Sequence, residues 1–417
     1  MAEEGQKSEV SLITEEVKAA GLQVKPTIDN FLKLITDHYG KKLRFNEMTG
    51  KPEIYDWRKK EWCEWTDTQE SGMRAYFEKT YSMYSQNKMQ DALKIFFNNN
   101  RVNPLRDILD NLVWDGKPRV EHFLHDIMKA EDNEYVRECS RLIFAGGIHR
   151  AYRPGCKFDD MIVLIGSGAA GKSTIVRWLN MEDRFFREIK TISGKEGVEA
   201  IRGVWIGEVA ELMAMTRVKE VEAVKAYLTS QEDSYRPPYA KNVVTIPRRC
   251  IFIGTTNNAR FLTDKTGNRR FYPVHVESEA RKIYQNEDKI RDYISQAWAE
   301  AVHLFREDSI QPFAKAEVLD AILDAQEAAM EDDWRIGAIQ TYLDEVKKQS
   351  NSTVSVIELW HRALDEPEES KPTRKDSIEI SQIVSSIPGW VAGKNVITTP
   401  WGRQKYFRKD NYASLWK

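Results

Sequence analysis

The chain has 417 residues, enough for two or three domains, and its 41% hydrophobic and 30% charged content is that of an ordinary globular protein. A formal net charge of −2 argues against a uniformly basic protein that coats nucleic acid, while leaving room for local basic sites. There is no apolar run of membrane-spanning length and no signal peptide, and Cys63, Cys139, Cys156 and Cys250 fit no metal or redox spacing. The expectation is a cytoplasmic protein with free thiols.

Residues 1–10 are polar and acidic and read as a loose tail. Residues 11–40 carry helical spacing, with Ile28, Phe31, Leu32 and Ile35 on one face. Further on, 45–50 and 57–62 read as short strands joined by turns; their aromatics and lysines could stack on bases, although such residues more often pack a small sheet. Residues 66–151 are mostly helical. Within them, Trp114-Asp115-Gly116-Lys117-Pro118 reads as a turn with Trp114 buried and a positive φ at Gly116. A helix over 133–149 then leads into the loop 153–159.

Residues 161–180 organise the rest. The apolar run Met161 to Ile165 reads as a central parallel strand buried on both faces. The next residues, Gly166-Ser167-Gly168-Ala169-Ala170-Gly171-Lys172-Ser173-Thr174, fit G-x-x-x-x-G-K-S/T at every fixed position. Small residues let backbone amides curl around phosphate oxygens, and the following helix adds the positive end of its dipole. Lys172 is expected to reach the β- and γ-phosphates of ATP, and the Ser173 hydroxyl to ligand Mg²⁺.

A second apolar strand over 203–212 carries Glu208 at its end and Glu211 three residues on; an acidic group there suits metal or water activation, and spacing does not choose between the two. A helix over 218–228 precedes a hairpin whose turn holds Arg236, Tyr239 and Lys241, residues suited to sugar, base or phosphate contact. A third buried strand over 248–258 ends in Asn257, placed to orient the lytic water. Arg269 and Arg270 stand before another strand. Paired arginines are usually salt-bridge partners, but behind three strand-end signals they read as an arginine finger for a neighbouring subunit. Residues 277–331 are charged and helical, a connector. The last segment shows helices over 335–348, 355–364 and 376–387, then a hairpin from 390 to 408, a winged-helix pattern. From 371 to 417 there are nine basic and three acidic residues, net +6, with Arg374, Lys375, Arg403, Lys405 and Arg408 as candidate phosphate contacts.

The order of phosphate loop, acidic strand end, amide strand end and double arginine resembles the superfamily-3 helicases of the AAA+ class. More narrowly, NPLRDIL, VWDGKPRVEHFL, YRPGCKFDDMIVLIGSGAAGKST, VWIGEVAEL, EDSYRPPYAK, RRCIFIGTTN and FLTDKTGNRRFYPV resemble the virulence-associated protein E family of phage- and island-borne replication proteins, over residues 101–276. Two positions depart from the family pattern: Asn103 replaces a histidine, and Gly168-Ala169 replace Gln-Gly. The resemblance implies Asn257 as sensor, Arg269 or Arg270 acting in trans, and the 232–246 hairpin in a central channel.

The resulting expectation is an α/β chain: an accessory region (1–100), a helical lead-in (101–155), an AAA+ P-loop ATPase core (156–310), a helical connector (311–331) and a winged-helix-like domain (332–417). Its expected activity is ATP-driven DNA unwinding by a homo-hexameric ring acting on single-stranded or forked DNA, with a separate primase as a further partner. The alternative is an origin-binding initiator or ATP-gated DNA switch that does not unwind processively.

Overall fold

Thr27 accepts a hydrogen bond from the Asn30 amide and so caps α1 (Ile28–Tyr39), which buries Phe31, Leu34 and Ile35. The computed structural model describes residues 24–192, 194–210, 218–235, 244–262, 268–330, 334–346 and 353–409. It divides into two units, Met1–Met330 and Glu331–Lys417. The divisions expected near 100, 155 and 310 all fall inside the first unit.

After α1 come β1 (Leu43–Asn46), β2 (Lys51–Asp56) and β3 (Glu61–Glu64), then α2 (Asp67–Tyr81), α3 (Gln86–Asn99) and β4 (Arg101–Val102). The small sheet has the order β3-β2-β1-β4 and packs one face on α1 to α3 through Leu43, Phe45 and Ile54. The strands expected over 45–50 and 57–62 are out of phase: residues 47–50 and 57–60 are turns. Gly50 and Lys60 have φ of 63° and 57°, a left-handed backbone that breaks an extended run.

α4 (Pro104–Asp110) and α5 (Phe123–Met128) lead to α6 (Glu134–Tyr152), capped by Asn133 and buried almost all round. Around α6, Glu138, Arg141 and His149 are satisfied by the main chain or by each other, whereas the buried Arg150 Nε has no partner among the described residues. Glu138 and Arg141 form a two-pronged pair, Arg141 also reaches the carbonyls of Gln311 and Phe313, and His149 bonds Ile310 O. Gly147 is required by close packing, because a Cβ there would lie 2.5 Å from the ring of Trp298. Trp114, expected to be buried, is half-exposed and lies against His303, its indole N–H donating to Lys117 O.

The central sheet contains β5 (Met161–Ile165), β6 (Phe186–Glu188), β7 (Ile206–Ala210), β10 (Ile251–Thr256) and β11 (Phe271–His275). All are parallel, in the order β11-β5-β10-β7-β6. Between them in sequence lie α7 (Lys172–Leu179), α8 (Gly194–Ala200), α9 (Val218–Thr229) and the antiparallel pair β8 (Glu232–Tyr235) and β9 (Val244–Pro247). Every residue of β5 and β10 is buried, as expected of strands covered on both faces. β6 and α8 escaped the sequence reading; β6 is three residues long, too short for a periodic signal.

α10 (Ala280–Gln285), α11 (Glu287–Arg306) and α12 (Leu319–Ala328) complete the first unit. The segment expected as a connector is packed into this unit: Gln326 donates to Phe271 O of β11, and Lys315 N donates to Glu138.

The second unit holds α13 (Trp334–Val346), β12 (Thr353–Ser355), α14 (Val356–Glu358) running into a π-turn at Leu359–Ala363, α15 (Arg374–Ser386), β13 (Trp390–Thr399) and β14 (Gly402–Lys409). Its sheet has the order β12-β14-β13. Ile339, Leu343, Val354, Leu359, Ile380, Val384, Trp390 and Phe407 form its core. Ser355 and Thr373 each start a helix with a capping box.

Candidate functional site

Numbered by appearance, the five parallel strands lie in the order 5-1-4-3-2, so the sheet order reverses beside the first strand, β5. Such a switch point leaves a crevice at the carboxyl ends of β5 and its neighbour β10. The glycine turn fills it. Gly171 caps α7 with φ of 73°, and a Cβ there would lie 2.6 Å from Ile283 Cδ1; a Cβ on Gly166 would lie 2.6 Å from Val276 O. Ser167, Gly168 and Ala169 are exposed, whereas Ala170 is buried. The loop is pinned from one side by Ala280 N, which donates to Ala169 O at 2.7 Å, and by the Ser278 hydroxyl, which donates to Ala170 O at 2.7 Å.

Lys172 is buried, and its ammonium donates to Gly166 O at 2.6 Å, Ser167 O at 2.7 Å and Asn257 Oδ1 at 2.9 Å. Burial holds its pKa below the usual lysine value, against the charge of Glu208. The Ser173 hydroxyl donates to Glu208 Oε1 at 2.6 Å, and the Thr255 hydroxyl to the same oxygen at 2.7 Å. Glu208 is not at the strand end, as its place in the sequence suggested. β7 continues to Ala210, paired with Thr255, so the carboxylate is 2% exposed and enclosed by two hydroxyls. Asn257 follows the last residue of β10. The structure thus places two hydrogen-bonded sets side by side at the glycine turn, Lys172 with Asn257 and Ser173 with Glu208 and Thr255. Thr174, next on α7, bonds the Tyr284 hydroxyl at 3.0 Å. Thr255 was missed by the sequence reading; its signal was the pair of threonines that closes an otherwise apolar strand.

A hydroxyl beside a buried carboxylate is a hard-oxygen donor set suited to Mg²⁺. Among the described residues no cluster of three or more His, Cys, Asp or Glu could hold a metal unaided.

Arg269 and Arg270 are not in this group. They precede β11, whose first residue pairs with Met161, so they stand at the amino end of the sheet, about 16 Å of strand from the glycine turn. Both approach Asp159, Arg270 at 3.2 Å and Arg269 at 3.6 Å. Their environments differ. The Arg270 side chain is 15% exposed and also donates to the Thr229 hydroxyl at 3.1 Å, whereas that of Arg269 is 66% exposed. Asp160, beside them, bonds Tyr272, and burial followed by the charge of Asp159 pushes its pKa up to about 7. A carboxyl whose pKa rises on folding stabilises the fold fully below its unfolded value near 4. That contribution is lost as pH rises to about 7. Asp160→Asn is therefore expected to gain stability relative to wild type across that window, by up to about 1.4 kcal/mol per pH unit. Urea unfolding at pH 5, 6 and 7 measures it, and a constant difference refutes it.

Glu211 and the hairpin residues Arg236, Tyr239 and Lys241 lie outside the described residues; the hairpin's two strands, β8 and β9, are paired as expected. In the second unit Arg374 and Lys375 lie in the first turn of α15, and Arg374 is exposed. Arg403, Lys405 and Arg408 are exposed on β14. Strand alternation puts Arg403 and Lys405 on one face of the hairpin and Arg408 on the other.

The sequence profile of the virulence-associated protein E-like domain matches residues 109–331, just over half of the chain. The chain belongs to this family. Its VapE-like domain takes in the central sheet and every residue of the glycine-turn group, and ends where the first unit ends. Among solved structures, the A-form apo structure of the NrS-1 C-terminal region is similar at a TM-score of 0.52 and 10% identity, covering 93% of this VapE-like chain and 100% of that one. A second A-form apo structure of that region, residues 305–718, gives 0.51 and 11%, covering 91% and 99%. At such identities the likeness is one of fold. No curated protein sequence matches the chain. No helix among the described residues is long and apolar enough to cross a membrane.

Proposed function

We propose that this VapE-like protein is an ATP-driven DNA helicase serving replication of a phage or mobile element, with hydrolysis between subunits of a ring. The observation that carries this is the arrangement beside the glycine turn: Lys172 on three acceptors, with Ser173 and Thr255 on the Glu208 carboxylate. The exposed amides of 167–169 and Lys172 suit a triphosphate, and Ser173 with Glu208 suits Mg²⁺. Bound Mg²⁺ supplies charge neutralisation on the phosphates. Glu208 orders or deprotonates the attacking water, and the Asn257 amide orients it.

The far edge of the sheet supports the coupling between subunits. Arg269 cannot reach the glycine turn of its own chain, and its exposure leaves it free to enter a neighbour's site. Arg270, largely enclosed and held by Asp159 and Thr229, holds the turn that presents it. Arg269→Ala is expected to lower DNA-stimulated ATP turnover by about 10³-fold while nucleotide binding persists. Arg270→Ala is expected to cost stability as well. Turnover and strand displacement, measured with nucleotide binding, decide this; wild-type turnover in Arg269→Ala removes the finger. An active ATPase unable to displace a strand from forked DNA leaves the helicase reading without support.

A second reading, an origin-binding initiator or ATP-gated switch, is favoured by the second unit. Its helix–strand–helix–helix–hairpin order supports a winged-helix reading, with Arg403 and Lys405 exposed on the hairpin. A footprint on one defined sequence without unwinding selects this reading.

A further inference from the structure

The glycine turn has two flanks, and only one belongs to the hydrolytic group. On the first flank, Asn257 meets Lys172, and a Cβ on Gly168 would lie 3.8 Å from Asn257 Nδ2. Lys172 serves the β- and γ-phosphates, so that flank faces the reacting end of a triphosphate. The nucleoside must leave by the other flank, which is formed by the segment from Ser278 through α10. Four contacts fix that segment to the turn: Ala280 N to Ala169 O, Ser278 Oγ to Ala170 O, Ile283 against Gly171, and Tyr284 to Thr174.

Tyr284 ends this row. Its side chain is large and amphipathic, yet the residue is 58% exposed. It does not swing freely. Its hydroxyl bonds Thr174 Oγ1 at 3.0 Å, and its ring stands edge-on to Trp178, centroids 6.0 Å apart at 89°. Trp178 is buried and carries the Arg291 guanidinium over its ring at 4.7 Å. The result is an aromatic ring braced on Thr174, the residue after Ser173, beside the point where the nucleoside exits. Exposed aromatic rings held in place are platforms for nucleobases, because every base has a π-face.

We propose that Tyr284 is the base-stacking residue of the nucleotide site, binding the purine of ATP while its hydroxyl bond to Thr174 sets the ring's angle. The proposal rests on the phosphate-binding reading of the glycine turn and adds the nucleoside half of the site. A platform without hydrogen-bond readout accepts purines over pyrimidines by stacking area, so ATP and GTP are expected to bind more tightly than CTP and UTP.

The test compares ATP with inorganic tripolyphosphate, each with Mg²⁺, on the full-length protein by calorimetry. Tyr284→Ala is expected to weaken ATP by about 10-fold and leave tripolyphosphate unchanged. Tyr284→Phe keeps the ring and is expected to retain ATP affinity within about 2-fold. Equal weakening of both ligands by Tyr284→Ala overturns the proposal, since the side chain would then only brace the turn. So does unchanged ATP affinity in Tyr284→Ala, or a loss in Tyr284→Phe as large as in Tyr284→Ala. If wild type binds tripolyphosphate and ATP equally well, stacking is absent although the phosphate site stands. If it binds neither, the phosphate reading itself falls, and this proposal with it.

Discussion

Lys172→Ala is expected to lower ATP turnover by at least about 10²–10³-fold, the loss typical when one preorganised charge is removed from a developing anionic centre. The ammonium lies within 2.9 Å of three neutral acceptors, Gly166 O, Ser167 O and Asn257 Oδ1, in a buried position that works against its charge. Those acceptors hold the group where phosphate oxygens can replace them. A buried charge kept on neutral partners does little for the fold, so the substitution should leave the melting temperature nearly unchanged. Ser167 and Asn257 are exposed and Gly166 is partly exposed, so water can satisfy the freed acceptors in the variant. Loss of turnover at unchanged stability is the signature of a functional lysine. Wild-type turnover in the variant excludes the assignment, and a large fall in melting temperature makes Lys172 a structural residue instead. Steady-state ATP hydrolysis, with and without single-stranded DNA, and thermal unfolding provide both readouts.

Trp298→Ala should produce the largest stability loss, about 4 kcal/mol. Trp298, on α11, is fully buried, its ring centroid 4.2 Å from that of Trp205 and 4.7 Å from that of Phe144. Its indole N–H donates to Leu179 O at 2.9 Å, at the end of α7. Truncation leaves a cavity between α6, α7 and α11, and an unpaired carbonyl adds to the cost. For a unit of this size the melting temperature should fall by roughly 6 °C. Gly147→Ala pushes a Cβ against the same ring, so the two substitutions share one contact. Combined, they should be less damaging than the sum of the singles, because the space opened by the first accommodates the second. A loss below about 1 kcal/mol for Trp298→Ala, or strict additivity of the pair, contradicts this packing account.

The glycine turn was legible as a tight strand-to-helix turn because such a turn fixes small residues at short spacing: neither Gly166 nor Gly171 has room for a Cβ, and Gly171 has a positive φ. The apolar runs of β5 and β10, the three helices after residue 334 and the final hairpin were legible for a related reason: burial imposes local periodicity. The chain itself carries these features within a few residues. Strand order, the burial of Glu208 beneath Ser173 and Thr255, the packing of residues 310–330 onto α6 and β11, and the different exposures of Arg269 and Arg270 were decided only in three dimensions. Each depends on partners between about 30 and 160 positions apart, such as Ser173 with Glu208 or His149 with Ile310, and no local pattern records which distant residue will meet which. The early strand register failed for the converse reason: turns made of Glu47-Met48-Thr49-Gly50 and Trp57-Arg58-Lys59-Lys60 carry the aromatic and apolar residues that elsewhere mark strands. Only the pairing of β1, β2 and β3 shows which stretches are extended.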